Sequence, residues 1–191
     1  ISNLTDPDES NYAEATNVLS LLQVGGLVGV KSDSEIAPSN GSKTRVGFVM
    51  QTSNQLLGAD VLKYFFIRLY NGNDVVYSGL TQQNNTVGVG LINDNGGKLR
   101  FYVETDQTFD RVELWTAGLL NVNLNTFRLY YAFYEPTSCE KYEGTSAACM
   151  EMISAQKHGA TINYAETQMA SAISVGSTIT DLSYVIDNSI N

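Results

Sequence analysis

The chain has 191 residues, of which 43% are hydrophobic and only 16% are charged, where a typical soluble domain carries roughly 25% charged residues. Twenty acidic residues against 11 Lys and Arg give a net charge of -9, which repels nucleic-acid phosphates and anionic lipid headgroups. Nucleic acid is therefore not expected as a partner, and no membrane insertion is expected because the apolar runs, such as 64–69, fall far short of the ~20 residues that span a bilayer.

Segment 11–24 is compatible with a short helix or a strand, and both remain open. After it, apolar residues recur with a period of two, which is typical of strands with one buried face. Turn residues at 71–74 and 93–97 predict two hairpins. Eight strands are predicted, at 27–31, 45–51, 62–70, 74–78, 87–92, 98–104, 111–116 and 126–134. This number and spacing predict an all-β fold, an antiparallel two-sheet sandwich of jelly-roll type.

In the last predicted strand, 126–134, large side chains occur at positions that point to both faces of the sheet. Strict alternation predicts that it buries Phe127, Leu129, Tyr131 and Phe133. The regular pattern stops at Pro136, where small polar residues take over, so we predict a β-sandwich domain over 1–136 and a C-terminal extended tail or inter-repeat segment over 137–191. Within the tail, 161–164 and 172–175 are short extended candidates. Residues 182–191 partly repeat residues 1–11, which would make the chain about one period of a tandem array.

The chain contains two cysteines, Cys139 and Cys149, in this C-terminal segment. We predict a local disulfide between them, which is typical of oxidising compartments, and two reduced thiols are the alternative. The single histidine, His158, cannot complete a tetrahedral zinc site with these cysteines unless a carboxylate joins them. The sequence starts at Ile1 without an apolar leader, so we expect any secretion signal to have been removed or to lie outside the sequence.

Short motifs distributed over 1–136 carry a resemblance to a known group of proteins. They are Asn-Leu-Thr-Asp-Pro-Asp-Glu-Ser-Asn-Tyr-Ala at 3–13, Gly-Gly-Leu-Val-Gly-Val at 25–30, Arg-Val-Gly-Phe-Val-Met at 45–50, Phe-Asp-Arg-Val-Glu-Leu at 109–114 and Tyr-Tyr-Ala-Phe at 130–133. Together they resemble the repeated β-sandwich modules of Bacteroidetes-type cell-surface adhesins. The resemblance implies an exported surface protein with an adhesive or ligand-binding role, and it brings no catalytic residues.

Three acidic residues cluster before the first strand: Asp6, Asp8 and Glu9. Carboxylate oxygens are the ligands that calcium prefers, and carbonyls or water would complete the six to eight positions, so calcium is the one cofactor considered. The alternative is a turn or a helix start in which these side chains cap free N–H groups.

Aromatic residues opposite the aliphatic face of their strands are the candidates for ligand binding. Trp115 shares its predicted face with Arg111 and Glu113, and an aromatic ring beside charged groups is suited to stacking on a sugar. Tyr102, Tyr130 and Tyr134 are the other candidates. The alternative is that the tail or a second sheet covers these faces.

No set of residues predicts catalysis, because a Ser-His-Asp or Cys-His arrangement would require His158 to fold back onto the sandwich. Glu104 and Glu113 are interpreted as solvated charges on strand faces. We therefore expect a non-enzymatic, extracellular adhesion or ligand-binding module whose partners are a cell-surface glycan or protein, or neighbouring repeats. The alternatives are a structural stalk spacer without a ligand and a carbohydrate-binding module of a degradative enzyme.

Overall fold

A computed structural model describes residues 12–16, 25–38, 42–52, 65–79, 88–91, 97–116, 126–138, 149–163 and 178–180. In these ranges the chain forms twelve strands and one short helix. They are β1 (Ala13–Thr16), β2 (Gly25–Ile36), β3 (Thr44–Thr52), β4 (Phe65–Asn71), β5 (Asp74–Ser78), β6 (Gly88–Leu91), β7 (Leu99–Thr105), β8 (Phe109–Thr116), β9 (Thr126–Pro136), β10 (Glu151–Met152), α1 (Ala155–His158), β11 (Thr161–Ile162) and β12 (Thr178–Thr180). The helix that these ranges contain is too short to cross a membrane.

The strands form two antiparallel sheets. The seven-stranded sheet has the order β12-β1-β9-β3-β7-β6, with β10 also paired to β9, and the five-stranded sheet has the order β11-β2-β8-β4-β5. The pairs β1–β9, β2–β8, β3–β7 and β4–β5 are nested: each pair lies, in sequence, between the two strands of the pair before it. This nesting, split over two sheets, is the jelly-roll arrangement.

The predicted all-β, two-sheet antiparallel sandwich is therefore confirmed. All eight predicted strands are present as β2 to β9, and the segment left open between helix and strand contains β1. The hairpin predicted at 71–74 joins β4 to β5, and β6 pairs with β7 as the second predicted hairpin requires. In β7 the exposure alternates strictly between buried and half-buried residues, as predicted from the sequence.

The main core lies between the sheets and takes residues from both. Strictly alternating strands direct every second side chain into this space, where aliphatic and aromatic groups are removed from water. Its largest fully buried members are Phe48, Phe101, Phe109, Met50, Ile67, Leu69, Leu99 and Leu114.

The outer side of the seven-stranded sheet carries a second buried cluster, and here one prediction is wrong. A β-bulge lies opposite Val49 and Met50, because Val49 pairs with Tyr131 whereas Met50 pairs with Leu129. The extra residue, Tyr130, shifts the alternation, so Leu129 and Ala132 face the main core while Tyr130, Tyr131 and Phe133 pack with Val49 on the outer side. Tyr131 and Phe133 are buried as predicted, but on the face opposite to that of Leu129.

Residues 149–163, named here the crossover segment, connect the two sheets. β10 pairs with Phe133 and Tyr134 of β9, α1 follows, and β11 pairs with Val30 and Lys31 of β2. Three apolar side chains of the segment, those of Ile153, Ala160 and Ile162, are at most 7% exposed and belong to the main core. This part of the predicted tail is thus packed into the sandwich.

Local hydrogen bonds shape the crossover segment between its two strands. Ser154 caps α1 by accepting the N–H of Lys157 at 3.3 Å, and Gly159 ends the helix with a φ of 59°. A Cβ atom on Gly159 would lie 2.2 Å from the Asp33 carboxylate, so glycine is required for space as well as for backbone conformation. Ser32 of β2 then donates to the carbonyl of His158 at 3.2 Å.

Several sequence predictions fall outside the described residues: the acidic cluster Asp6, Asp8 and Glu9, the extended segment 172–175, and both halves of the proposed repeat at 1–11 and 182–191. Cys139 also falls outside them. No cysteine within the described ranges has a free thiol, and the pairing of Cys139 with Cys149 stays a prediction.

Candidate ligand-binding face

The outer side of the five-stranded sheet carries a row of charged and aromatic side chains on two adjacent strands. Antiparallel pairing places Phe66 opposite Trp115, Arg68 opposite Glu113 and Tyr70 opposite Arg111. Their neighbours along β4 and β8, such as Ile67 and Leu114, point into the main core, which directs these six to the outside. We name the six residues Phe66, Arg68, Tyr70, Arg111, Glu113 and Trp115 the Arg/aromatic ladder.

Glu113 lies at the centre of the ladder and is fully buried, at 0% exposure. Its Oε2 accepts a hydrogen bond from the indole Nε1–H of Trp115 at 2.7 Å, and its Oε1 lies 3.3 Å from Nε of Arg111. A buried carboxylate is costly unless it is paired and hydrogen-bonded, and these contacts meet that requirement. The interpretation of Glu113 as a solvated charge is therefore wrong, although its predicted outward side of the strand is correct.

The guanidinium groups of both arginines of the ladder lie over aromatic rings. The guanidinium carbon of Arg68 is 3.9 Å from the centroid of the Trp115 ring and 5.6 Å from that of Phe66. The guanidinium carbon of Arg111 is 3.9 Å from the centroid of the Tyr70 ring. Such cation–π contacts fix the plane of each guanidinium group and leave its edge as the hydrogen-bonding side.

The pKa of Tyr70 reflects the burial and the charges at its end of the ladder. Burial raises the pKa of its hydroxyl above the usual value, and the negative charge of Glu113 raises it further. A hydrogen bond from Arg68 and the charge of that arginine act in the opposite direction without cancelling the rise. The phenol consequently stays neutral over the physiological range, and the ionised groups of the ladder are the two arginines and Glu113.

The crossover segment forms one border of the ladder. The backbone N–H of Asn163 donates to the carbonyl of Gly29 in β2 at 2.9 Å. Gly29 lies opposite Glu113, and a Cβ atom on it would approach Asn163 at 3.2 Å and Glu113 at 3.3 Å. A side chain at this position would therefore crowd both Asn163 and Glu113.

Trp115, the principal sequence candidate, is half-buried on this face. Its ring stacks with Phe66 at 6.1 Å between centroids, one face contacts Arg68, and its N–H is bonded to Glu113. A sugar ring that stacks on the face held by Arg68 would have to displace that side chain. What this part of the sheet offers a ligand is therefore an indole and a guanidinium held together.

Tyr102 and Tyr130 lie on the other side of the molecule, on the outer side of the seven-stranded sheet. Tyr102 is half-buried beside Gly88, and the guanidinium carbon of Arg45 is 5.3 Å from its ring centroid. Tyr130 is 5% exposed, donates a hydrogen bond to Gln51, and has the Lys98 ammonium 4.2 Å from its ring centroid. Tyr130 is thus largely removed from solvent, as the covered-face alternative expects.

Tyr134 faces the main core beside the crossover segment, since the bulge reverses its side of β9. Its ring meets that of His158 edge-on at 5.8 Å, and its hydroxyl lies 3.4 Å from Nε2 of the histidine. Burial raises the pKa of Tyr134 strongly, and a hydrogen bond to Glu151 adds to the rise. Its hydroxyl is thus held in internal contacts.

His158 does fold back onto the sandwich, and both of its ring nitrogens are engaged there. Nδ1 accepts the backbone N–H of Ser154 at 3.2 Å, which places the ring proton on Nε2, 3.0 Å from Oε1 of Glu151. Burial alone would raise the pKa of Glu151, but hydrogen bonds from Lys157 and Tyr134 and the charge of Lys157 outweigh it and lower that pKa. This cluster holds the crossover segment in place.

The four sequence candidates therefore lie on three surfaces, and the structure does not bring them together. The residues that do surround Trp115 were missed, with the exception of Arg111 and Glu113. Arg68, Phe66 and Tyr70 are recognised only from the pairing of β4 with β8, which the sequence pattern of either strand alone does not reveal. An arginine placed opposite a glutamate across strands is the signal that strand pairing adds.

Metal ligands are not grouped on this face: no cluster of three or more His, Cys, Asp or Glu side chains able to hold a metal ion occurs within the described ranges.

The chain matches no protein-family model, and no curated protein and no solved structure shows significant similarity to it.

Proposed function

We propose that this protein is a non-enzymatic adhesion or ligand-binding module, and that it binds a glycan through the Arg/aromatic ladder on the outer side of its five-stranded sheet. The observation that carries the proposal is the arrangement at Trp115, where an indole, two guanidinium groups and a buried carboxylate meet on one sheet face. Sugars present apolar C–H faces to aromatic rings and hydroxyls to charged hydrogen-bonding groups, so the ladder supplies both kinds of contact.

Two other polar clusters of the described residues serve the fold and are not part of the proposed site. The ring nitrogens of His158 serve the crossover segment, and Glu135 is held at 1% exposure between Arg45 and Arg100. These groups are engaged in internal contacts that stabilise the fold. In the proposal the protein is exported to the cell surface, as the resemblance to Bacteroidetes-type adhesin modules implies. There it carries the Cys139–Cys149 disulfide predicted from the sequence and meets a cell-surface glycan.

A glycan array probed with the purified protein, with and without a calcium chelator, tests the proposal. Reproducible binding is expected. Loss of the signal in chelator would add calcium to the proposal and direct attention to Asp6, Asp8 and Glu9, whereas binding that ignores the chelator would leave the ladder as the sole site. An array without any signal under both conditions would contradict glycan binding.

Substitution then distinguishes the candidate surfaces. Trp115→Ala is expected to abolish the array signal, whereas Tyr102→Ala, on the opposite side of the molecule, leaves it unchanged. Because Trp115 also stacks on Arg68 and bonds Glu113, we expect its removal to lower the free energy of unfolding by about 2–3 kcal/mol. Binding is therefore measured well below the melting temperature of each variant. Binding retained in Trp115→Ala would place the site elsewhere.

A further inference from the structure

The ladder carries an excess of positive charge in a protein that is otherwise strongly acidic. Two guanidinium groups, Arg68 and Arg111, face one carboxylate, Glu113, on the same sheet face. The nearby Lys31 has its own partner, since its ammonium lies 3.8 Å from the carboxylate of Asp110. The excess is therefore local to the ladder, in a chain whose net charge is -9.

The negative charge of the whole chain does not cancel this local excess for a bound ligand. At physiological ionic strength charges are screened over about 8 Å, so a group in contact with Arg68 is affected chiefly by the ladder itself. Distant carboxylates reduce the rate at which an anion approaches more than they reduce its affinity once it is in contact.

The arginines also retain hydrogen-bonding capacity. Within the described part of the chain, the Nε of Arg68 has no hydrogen-bond partner, but this atom is buried, so the terminal N–H groups of the half-buried side chain are the donors for a ligand. Its guanidinium plane is fixed by the Trp115 ring at 3.9 Å, as the plane of Arg111 is fixed by Tyr70. A guanidinium group held against a ring in this way loses little further freedom when it binds, and its fork of N–H donors fits the planar, two-oxygen geometry of a carboxylate.

We propose that the ladder recognises an acidic glycan, namely one that contains uronic acid residues, and that Arg68 binds the uronate carboxylate while the indole of Trp115 contacts the adjoining sugar ring. This inference rests on the proposed function and adds the chemical class of the ligand. A planar carboxylate is favoured because it can accept two parallel N–H bonds from one guanidinium group.

The experiment compares each uronate oligosaccharide with its own methyl ester. Galacturonate, glucuronate and mannuronate oligosaccharides are titrated against the full chain, each beside the ester in which the ring is kept and the charge is removed. Trp115 is the single tryptophan, so its fluorescence reports directly on the ladder, and calorimetry provides the second readout. We expect at least one acid form to bind about tenfold more tightly than its ester, and added salt to weaken the acid form alone.

Variants connect that preference to Arg68. Arg68→Gln is expected to remove the roughly tenfold preference for the acid form, and Arg68→Lys, which keeps the charge but not the fork, to retain part of it. The matched control is Arg128→Gln. Arg128 also lies over an aromatic ring, that of Tyr12 at 4.5 Å, and pairs with Glu14 at 3.2 Å, but on the seven-stranded sheet. If Arg68→Gln does not fold, Arg68→Lys carries the test, and a reduced preference for the acid form is expected in it.

The outcomes separate this inference from the proposed function. Equal affinity for acids and esters, or binding of neutral glycans alone, would overturn the inference and leave glycan binding standing. A preference for acid forms that persists undiminished in Arg68→Gln, or in Arg68→Lys where Arg68→Gln does not fold, would also overturn it, as would a preference that disappears in Arg128→Gln. If no glycan binds, acidic or neutral, both proposals fail.

Discussion

Replacing Ile153 by alanine tests whether the crossover segment belongs to the cooperative core of the sandwich. Ile153 is 1% exposed, and its backbone N–H donates to the carbonyl of Ala132 in β9 at 2.9 Å. The substitution removes three carbon atoms at ~0.8 kcal/mol each, and the cavity left between the sheets raises the expected loss to about 3 kcal/mol. For a chain of 191 residues this corresponds to a melting temperature lower by roughly 6–12 °C.

Urea denaturation and calorimetry measure that loss. Gln156→Ala, an exposed position on α1 of the same segment, is the control and is expected to change the free energy of unfolding by less than about 0.5 kcal/mol. If Ile153→Ala costs under about 1 kcal/mol, or if the variant shows a separate early transition, the segment is not part of the core that unfolds as a unit, and the reasoning from its burial is refuted.

Three further substitutions probe other parts of the structure. Gly47→Ala should destabilise the fold severely, because its Cβ would lie 1.9 Å from the carbonyl oxygen of Phe101; a melting temperature within a few degrees of the unmodified protein would contradict that close approach. Glu113→Ala leaves the largely buried guanidinium of Arg111 without its carboxylate and should cost about 3–5 kcal/mol, measured by denaturant titration. The lowered pKa of Glu151 means that its stabilising contribution is present above the ordinary value of 4.5 and is lost as the pH falls through the folded-state pKa, so Glu151→Gln should flatten the fall of stability in acid. If stability falls as steeply in acid in this variant as in the unmodified protein, Glu151 does not contribute to the acid dependence.

The sequence pattern predicted the sheets well because strands with one buried face have a simple period. In β7, three buried apolar residues alternate with residues that face outward, and the structure keeps that order. The pattern failed where the backbone departs from regular pairing. The bulge at Tyr130 shifts the faces of β9, and no residue type in that stretch signals it, since every position from 129 to 134 except Ala132 carries a large side chain.

The candidate site was predicted only in part, for a different reason. The outward side of β8 could be found from its own alternation, which identified Trp115 together with Arg111 and Glu113. The burial of Glu113 could not, because it depends on which strand lies beside β8 and on the arginine that this strand places across from it. The extended segment predicted at 161–164 contains β11, but strands of two residues, such as β10 and β11, are too short to show which face is buried or which sheet they join. The path of the crossover segment could therefore not be predicted from the sequence.

The nested order of strand pairing has a consequence for how the molecule folds. Among the described strands, β1 comes first in the sequence but pairs with β9 and β12, and the crossover segment joins both sheets only after β9. Contacts between residues far apart in sequence make folding slow, because a long loop must close before its ends gain any stabilisation. During synthesis, the apolar faces of the strands stay exposed to solvent until residues 153–162 have left the ribosome and can cover them. We expect nascent chains shorter than this to require a chaperone and the finished chain to refold slowly.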